Sequence, residues 1–238
     1  SGKLRPIGRQ ALRFRSGLLL ATTFVALVLS FPAAWAQAST TAERLIRQEQ
    51  VRKSVEDAFD LAALNSPNGG IKNDNLVRAV DRLVEIGPEA IPYVVVELEQ
   101  GHPDTFFFSV YSLGRLGTET SEQALREAIG RAEKAPGDWA ALQKAWCCWA
   151  LGLMGEADAI DLALQGRHRS IQTPMHGNFT VLESIAVQTA PESLSRLEKH
   201  WDDFDSENDD RYSERVILLK AIGHVPGPAA RKLLIRVL

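Results

Sequence analysis

The feature that most constrains this chain is a recurring pattern of helix, short turn and second helix. From residue 74 onward, apolar residues fall at helical spacing, a Gly or small residue closes the segment, and a further helical segment begins. The first unit runs from Leu76 to Gly87-Pro88 and continues over 89–98. The second covers 106–117 and 121–129, and the third 142–155 and a short 157–164. The fourth covers 179–190 and 192–201, and the fifth 212–225 and 226–238. The turn markers Gly87, Gly117, Gly155, Ala190 and Gly227 lie 30, 38, 35 and 37 residues apart. A period between roughly 20 and 50 residues with two helices per unit describes an α-solenoid. A lone helix pair has more apolar surface than it can bury, so neighbours must stack. Glycine admits the left-handed residue that ends a helix. Pro88, Pro191 and Pro228 stand in or near the first turn of the following helix, where a missing N–H costs nothing.

The expected fold class is therefore all-α: an α-solenoid, a right-handed superhelical stack of about five helix pairs, with an extra N-terminal helix. That extra helix is predicted over 40–65. Thr40 or Thr41 caps it, and Leu45, Val51, Val55, Phe59 and Ala62 keep close to a 3.6-residue period. The turn formers Asn65-Ser-Pro-Asn-Gly-Gly follow.

The segment Leu83-Val-Glu-Ile-Gly-Pro-Glu-Ala-Ile-Pro-Tyr-Val resembles the turn and second helix of a HEAT repeat. The short Gly-marked second and third units are similar to the phycobilisome-lyase-type HEAT subfamily, and the resemblance covers 74–238. The fourth unit departs from it, with Thr189-Ala190 in place of Gly before Pro191. The resemblance implies an armadillo-like helical scaffold that binds partners. Its motif carries no catalytic or cofactor-binding residues, so none is expected here, and no cofactor.

Residues 1–36 read as an address. Lys3, Arg5, Arg9, Arg13 and Arg15 precede an apolar run over 17–29. Pro32 breaks it, and Ala34-Trp-Ala36 places small residues where a signal peptidase reads. Cleavage after Ala36 leaves Gln37 first. The alternative is an uncleaved anchor, since 17–36 is about the ~20 residues a bilayer core needs. Membrane contact is expected only in that case. The domain plan is a signal peptide over 1–36, a helix and turn over 37–72, and repeats over 73–238. The last helix is apolar at Ala229, Leu233, Leu234, Val237 and Leu238 and lacks the polar outer face of a terminal repeat. This leads to the expectation that the array continues past Leu238 or meets a partner there.

The net charge of -3 conceals an asymmetry. Without the five basic residues of 1–36, 22 Lys and Arg stand against 30 Asp and Glu. That balance gives no electrostatic footprint for nucleic acid. The two cysteines, Cys147 and Cys148, are adjacent and form no disulfide framework. On a helix they point about 100° apart, a poor chelate, so packing is the plainer account of them.

Asp203, Asp205, Glu207, Asp209 and Glu214 echo an oxygen-ligand calcium loop. Asn208 stands where such a loop needs Gly, and the plainer account is a solvated loop ahead of a helix N-terminus. Trp139, Trp146 and Trp149 share a helix face, either a binding platform or a core stripe. His168 and His176 sit in a long polar loop over 165–178. Phe106, Phe107 and Phe108 cannot all face one way, so one is expected at a seam between units.

The leading functional expectation is a non-catalytic protein-binding scaffold or adaptor outside the cytoplasm, periplasmic or secreted, with a protein partner in the cell envelope. It would bind through the concave ridge of second helices, near 91–98, 122–129, 158–164 and 194–201. Glu97, Arg126, Arg131, Arg196 and Lys199 would set specificity. One alternative is a lyase-like, cofactor-handling enzyme of the phycobilisome-lyase type, using Cys147, Cys148 or the loop histidines. Another is an adaptor domain of a longer exported enzyme.

Overall fold

The computed structural model describes residues 40–63, 73–165, 171, 180–203 and 212–238. Residues 1–36, with the predicted signal peptide, lie outside that set, as do His168, His176, Asp205, Glu207 and Asp209. The described chain is all-α, with no strand among the described residues.

Helix α1 covers residues 40–63. There follow α2 (Asn73–Ile86), a 3-10 turn (Gly87–Ala90), α3 (Ile91–Gln100), α4 (Pro103–Leu116) and α5 (Glu119–Lys134). Then come α6 (Asp138–Leu153), α7 (Ala159–Leu164), α8 (Val181–Gln188), α9 (Glu192–Asp202), α10 (Tyr212–His224) and α11 (Pro228–Val237). The chain divides into two compact units between Gln50 and Val51, inside α1. Residues 40–50 are exposed throughout, and Leu45, predicted on the apolar stripe, lies on the surface. From Val51 onward the stripe is buried at Val55, Ala58 and Ala62.

Within the second unit the helices make two series of contacts. In the first, α2 packs on α4, α4 on α6, α6 on α8 and α8 on α10. In the second, α3 packs on α5, α7 on α9 and α9 on α11. From α3 on, each helix also packs on the next in sequence, while α2 and α3 meet through the 3-10 turn.

Local chemistry explains the boundaries. Pro103 opens α4 behind an extended His102. Gly117 closes it at φ 61, and its N–H donates to the Leu113 carbonyl at 3.1 Å. The Thr118 hydroxyl then caps α5 by accepting the Ser121 N–H at 3.1 Å. Thr180 and Glu183 form a reciprocal capping box on α8, which explains why Glu183 is tolerated in a buried position. The third unit's first helix begins at Asp138, four residues before its apolar pattern starts, because Gly137 breaks the chain just ahead of it. In the irregular fourth unit the Ala190–Pro191 bond is cis.

The middle of the first series is aromatic. Phe106, Phe107 and Phe108 are all buried, because α4 is covered on more than one side. Phe108 meets Phe59 of α1 edge-on at 4.6 Å. Phe107 meets Trp146 and Trp149 of α6 at 5.0 and 5.6 Å, and Phe106 meets Trp139 at 5.8 Å. Such ring pairs add about 0.5–1.5 kcal/mol each beyond burial. Phe106 and Phe107 thus face the seam towards α6, and Phe108 the seam towards α1. Trp149 is fully buried and donates its indole N–H to the Ser184 hydroxyl of α8 at 3.2 Å.

Close approach between helices of the first series is set by two glycines. A Cβ on Gly114 of α4 would lie 3.1 Å from the Ala150 Cβ and 3.1 Å from its carbonyl oxygen. A Cβ on Gly152 of α6 would lie 3.0 Å from Ile185 and from Gln188 of α8. Each glycine is a notch into which the next helix of the series seats.

Candidate functional site

The second helices, predicted as the binding ridge, are joined side to side by ion pairs. Arg131 of α5 lies 3.9 Å from Glu99 of α3. Arg126 of α5 donates twice to Asp158, just ahead of α7, at 2.9 and 3.1 Å. It also donates to Glu122 at 2.7 Å and lies 3.6 Å from Glu156. Arg196 of α9 pairs with Asp161 of α7, and His200 comes within 2.8 Å of the same carboxylate. Arg236 of α11 pairs with Glu198 and Asp202 of α9. Hydrogen bonds to Asp158 hold the Arg126 guanidinium charged far above its ordinary range, against burial and with help from Glu122.

These rungs have a regular offset. Arg126–Asp158, Asp161–Arg196 and Glu198–Arg236 are separated by 32, 35 and 38 residues. In the first series Asp81–Arg115 and Trp149–Ser184 are separated by 34 and 35. Each contact therefore joins positions about one sequence period apart.

The residues expected to meet a partner differ in how they are engaged. Arg126 and Arg196 are engaged within the ridge, with side chains about a third exposed. Glu97 is half-buried and accepts from Gln100 at 3.4 Å. Lys199 is exposed, as are Gln123 and Glu127 of α5 and Ser195 of α9. The rungs have no signal in a single sequence, because each partner is an ordinary surface charge on a different unit.

A cavity of about 790 Å³ opens beside α5 and α6. Its wall includes Glu133, Asp138, Lys144, Gln165 and Ile171, with alanines between them. Gln165 and Ile171 belong to the long polar loop singled out in the sequence. Lys144 is buried and donates to Glu133 at 2.7 Å, tying α6 to α5. The lining combines three helix ends with Ile171 of that loop, and no local sequence pattern marks the combination.

Cys147 and Cys148 are free thiols and fully buried. Burial raises both thiols, Cys147 well above its ordinary range and Cys148 to about 12. They pack in the core as apolar side chains do. Trp139, Trp146 and Trp149 form part of the aromatic core, with the first two half-buried. Of the acidic calcium-loop candidates, Asp203 is exposed at the C-terminal end of α9, and Glu214 lies in the first turn of α10. Among the described residues, no group of three or more His, Cys, Asp or Glu is placed to hold a metal ion. Among them, too, no helix is long and apolar enough to cross a membrane.

No protein-family model, curated protein or solved structure matches the chain.

Proposed function

We propose that this chain is a non-catalytic protein-binding scaffold acting outside the cytoplasm, built as an α-solenoid of HEAT-like helix pairs. The observation that carries the reading is the set of ion-pair rungs, each offset by about one period, that joins the second helices from α3 to α11. The turn spacing and the two series of helix contacts support the same architecture. A ridge whose own charges are tied to one another keeps its exposed residues in fixed positions. A surface ordered before binding loses less freedom when a partner docks. The partner-facing residues are then the exposed ones between the rungs, such as Gln123, Glu127, Ser195 and Lys199. The basic, apolar and Ala-x-Ala segments of residues 1–36 support export to the periplasm or beyond.

The test is site-specific photo-crosslinking in the cell envelope. A photoreactive residue at Glu127 or Lys199 is expected to give one discrete protein adduct, while Arg82 on α2 gives none. Equal labelling from all three positions, or no adduct from the second helices, overturns the reading. Export is tested separately by N-terminal sequencing, with Gln37 the expected first residue.

A further inference from the structure

The cavity between the end of α5 and the start of α6 is lined by charges of both signs. Of its lining residues, Ala132, Ala140 and Lys144 are buried and form the floor, while Glu133, Asp138 and Gln165 are exposed and form the mouth. The Lys144 side chain is only 7% exposed. A charge buried to that degree is costly unless it is paired and hydrogen-bonded. An ammonium has three donors, and Glu133 accepts one of them at 2.7 Å. Among the described residues no other group accepts from Lys144. Glu133 uses one oxygen for this bond and is 44% exposed, which leaves its second oxygen to accept from elsewhere. The floor of the cavity thus presents a positive and a negative group side by side.

The helix ends arrange the same two signs in the same order. Helix α5, which carries Glu133, ends here, and its last carbonyls bear partial negative charge. Helix α6, which carries Lys144, begins here with no side-chain cap at Gly137, and its first N–H groups bear partial positive charge. Asp138 at the mouth adds a second carboxylate. The rest of the lining is small or apolar. Four of the residues are alanines, which leave the space of about 790 Å³, and the half-buried Leu142 and Ile171 give it an apolar side. That volume falls in the range of small-molecule sites, roughly 300–1,000 Å³.

We infer that this cavity binds a free α-amino acid with an apolar side chain, through its zwitterionic head. The ligand carboxylate accepts from Lys144, its ammonium donates to Glu133, and its side chain lies along Leu142 and Ile171. The match is one of spacing as well as sign. An α-amino acid carries its two charges on adjacent atoms of one small head, as the cavity carries Lys144 and Glu133 within 2.7 Å of each other. A peptide has its terminal charges at opposite ends of a chain and cannot meet such a pair with both. A simple anion meets Glu133 and Asp138 as like charges, and a phosphate compound more so. A simple cation brings no acceptor to the remaining donors of Lys144. The site needs no partner protein, so its test stands apart from that of the scaffold reading.

The probe is L-leucine, titrated calorimetrically into the full chain. N-acetyl-L-leucine lacks the positive charge of the head and L-leucinamide the negative one. Leucine is expected to bind saturably, and each blocked compound at least about tenfold more weakly. Lys144→Met is expected to weaken leucine at least about tenfold and to bind leucine and leucinamide alike. Glu133→Gln, at an exposed position, is expected to weaken leucine similarly and to bind leucine and N-acetyl-leucine alike. This pairing of each variant with one blocked compound is a signature that general loosening of the fold does not produce. Lys199→Glu, on α9, is expected to leave binding unchanged. The blocked compounds and Glu133→Gln decide the matter even where Lys144→Met unfolds. The inference is overturned by absence of saturable binding at millimolar leucine, by equal binding of the three compounds, or by leucine binding indifferent to Glu133→Gln. Preference for leucinamide over leucine would make the ligand a simple cation and overturn it as well.

Discussion

Gly114 and Gly223 offer the same substitution in two environments that differ in one respect. Both lie near the C-terminal end of a helix, Gly114 in α4 and Gly223 in α10. Gly→Ala in a helix gains about 1 kcal/mol in propensity, less near an end. At Gly223 the added methyl meets nothing within 4 Å, so that gain is the whole effect. At Gly114 the methyl meets Ala150 at 3.1 Å to Cβ, 3.1 Å to O and 3.2 Å to Cα. Carbon atoms rest at about 3.5–4.0 Å, so the gap is short by roughly half an ångström. Two of the three atoms are backbone and cannot rotate aside, so α4 and α6 must separate. Overpacking of this kind costs about 1–3 kcal/mol. Gly114→Ala is therefore expected to be about 1–3 kcal/mol less stable than Gly223→Ala. For a chain of this size each kcal/mol moves the melting temperature by roughly 2–4 °C. Urea unfolding followed by far-UV circular dichroism, with a thermal scan beside it, reads the difference. If the two variants agree within about 0.5 kcal/mol, the usual scatter between independent sites, the close α4–α6 approach is wrong.

Trp149→Phe is expected to cost about 2–3 kcal/mol, from the lost bond to Ser184 and the lost ring volume; denaturant unfolding checks it, and a cost below about 0.5 kcal/mol would contradict the buried α6–α8 bond. Lys144→Met is expected to stay within about 1 kcal/mol of the parent, because Glu133 is 44% exposed and can hydrate once its partner is gone; a loss above about 3 kcal/mol would instead mark an uncompensated buried charge. Cys147 and Cys148 are expected to resist a thiol reagent at pH 8 until urea unfolds the chain, and prompt labelling of the native protein would contradict their burial. Their raised folded values also set a pH dependence: stability is fully present below the ordinary value of 9.0 and is lost as pH rises from there towards about 12. A Cys147→Ala/Cys148→Ala chain is expected to lose less stability between pH 8 and pH 10, as measured by urea midpoints.

What could be read in the sequence was what local chemistry demands. Gly117 and Gly155 take positive φ at the turns where the pattern places them, and Gly87 and Gly227 do the same. The apolar spacing marks the helices because burial acts on one face at a time. Leu45 shows the limit, since periodicity states that a stripe exists and not that something covers it. The run Phe106 to Phe108 was legible as a conflict, and its resolution, coverage from both α1 and α6, needed the fold. The rungs between second helices were illegible because charges 32 to 38 residues apart have no local signature. Gly114 and Gly152 stand out in sequence only as helix glycines, and their role as notches appears once the facing helix is in place. The cavity beside Lys144 escaped for the same reason, since alanines at three helix ends carry no pattern.

The clustering of Trp139, Trp146 and Trp149 against Phe106 and Phe107 has a spectroscopic consequence. Among the described residues three of the four tryptophans lie on α6, and the fourth is Trp201 on α9. Among the described residues intrinsic fluorescence is thus weighted towards α6, while circular dichroism weighs every helix alike. Coincident transitions in the two signals would mean that the chain melts as one cooperative body. A dichroism loss that runs ahead of the emission change would mean that the ends unravel first around a surviving aromatic centre.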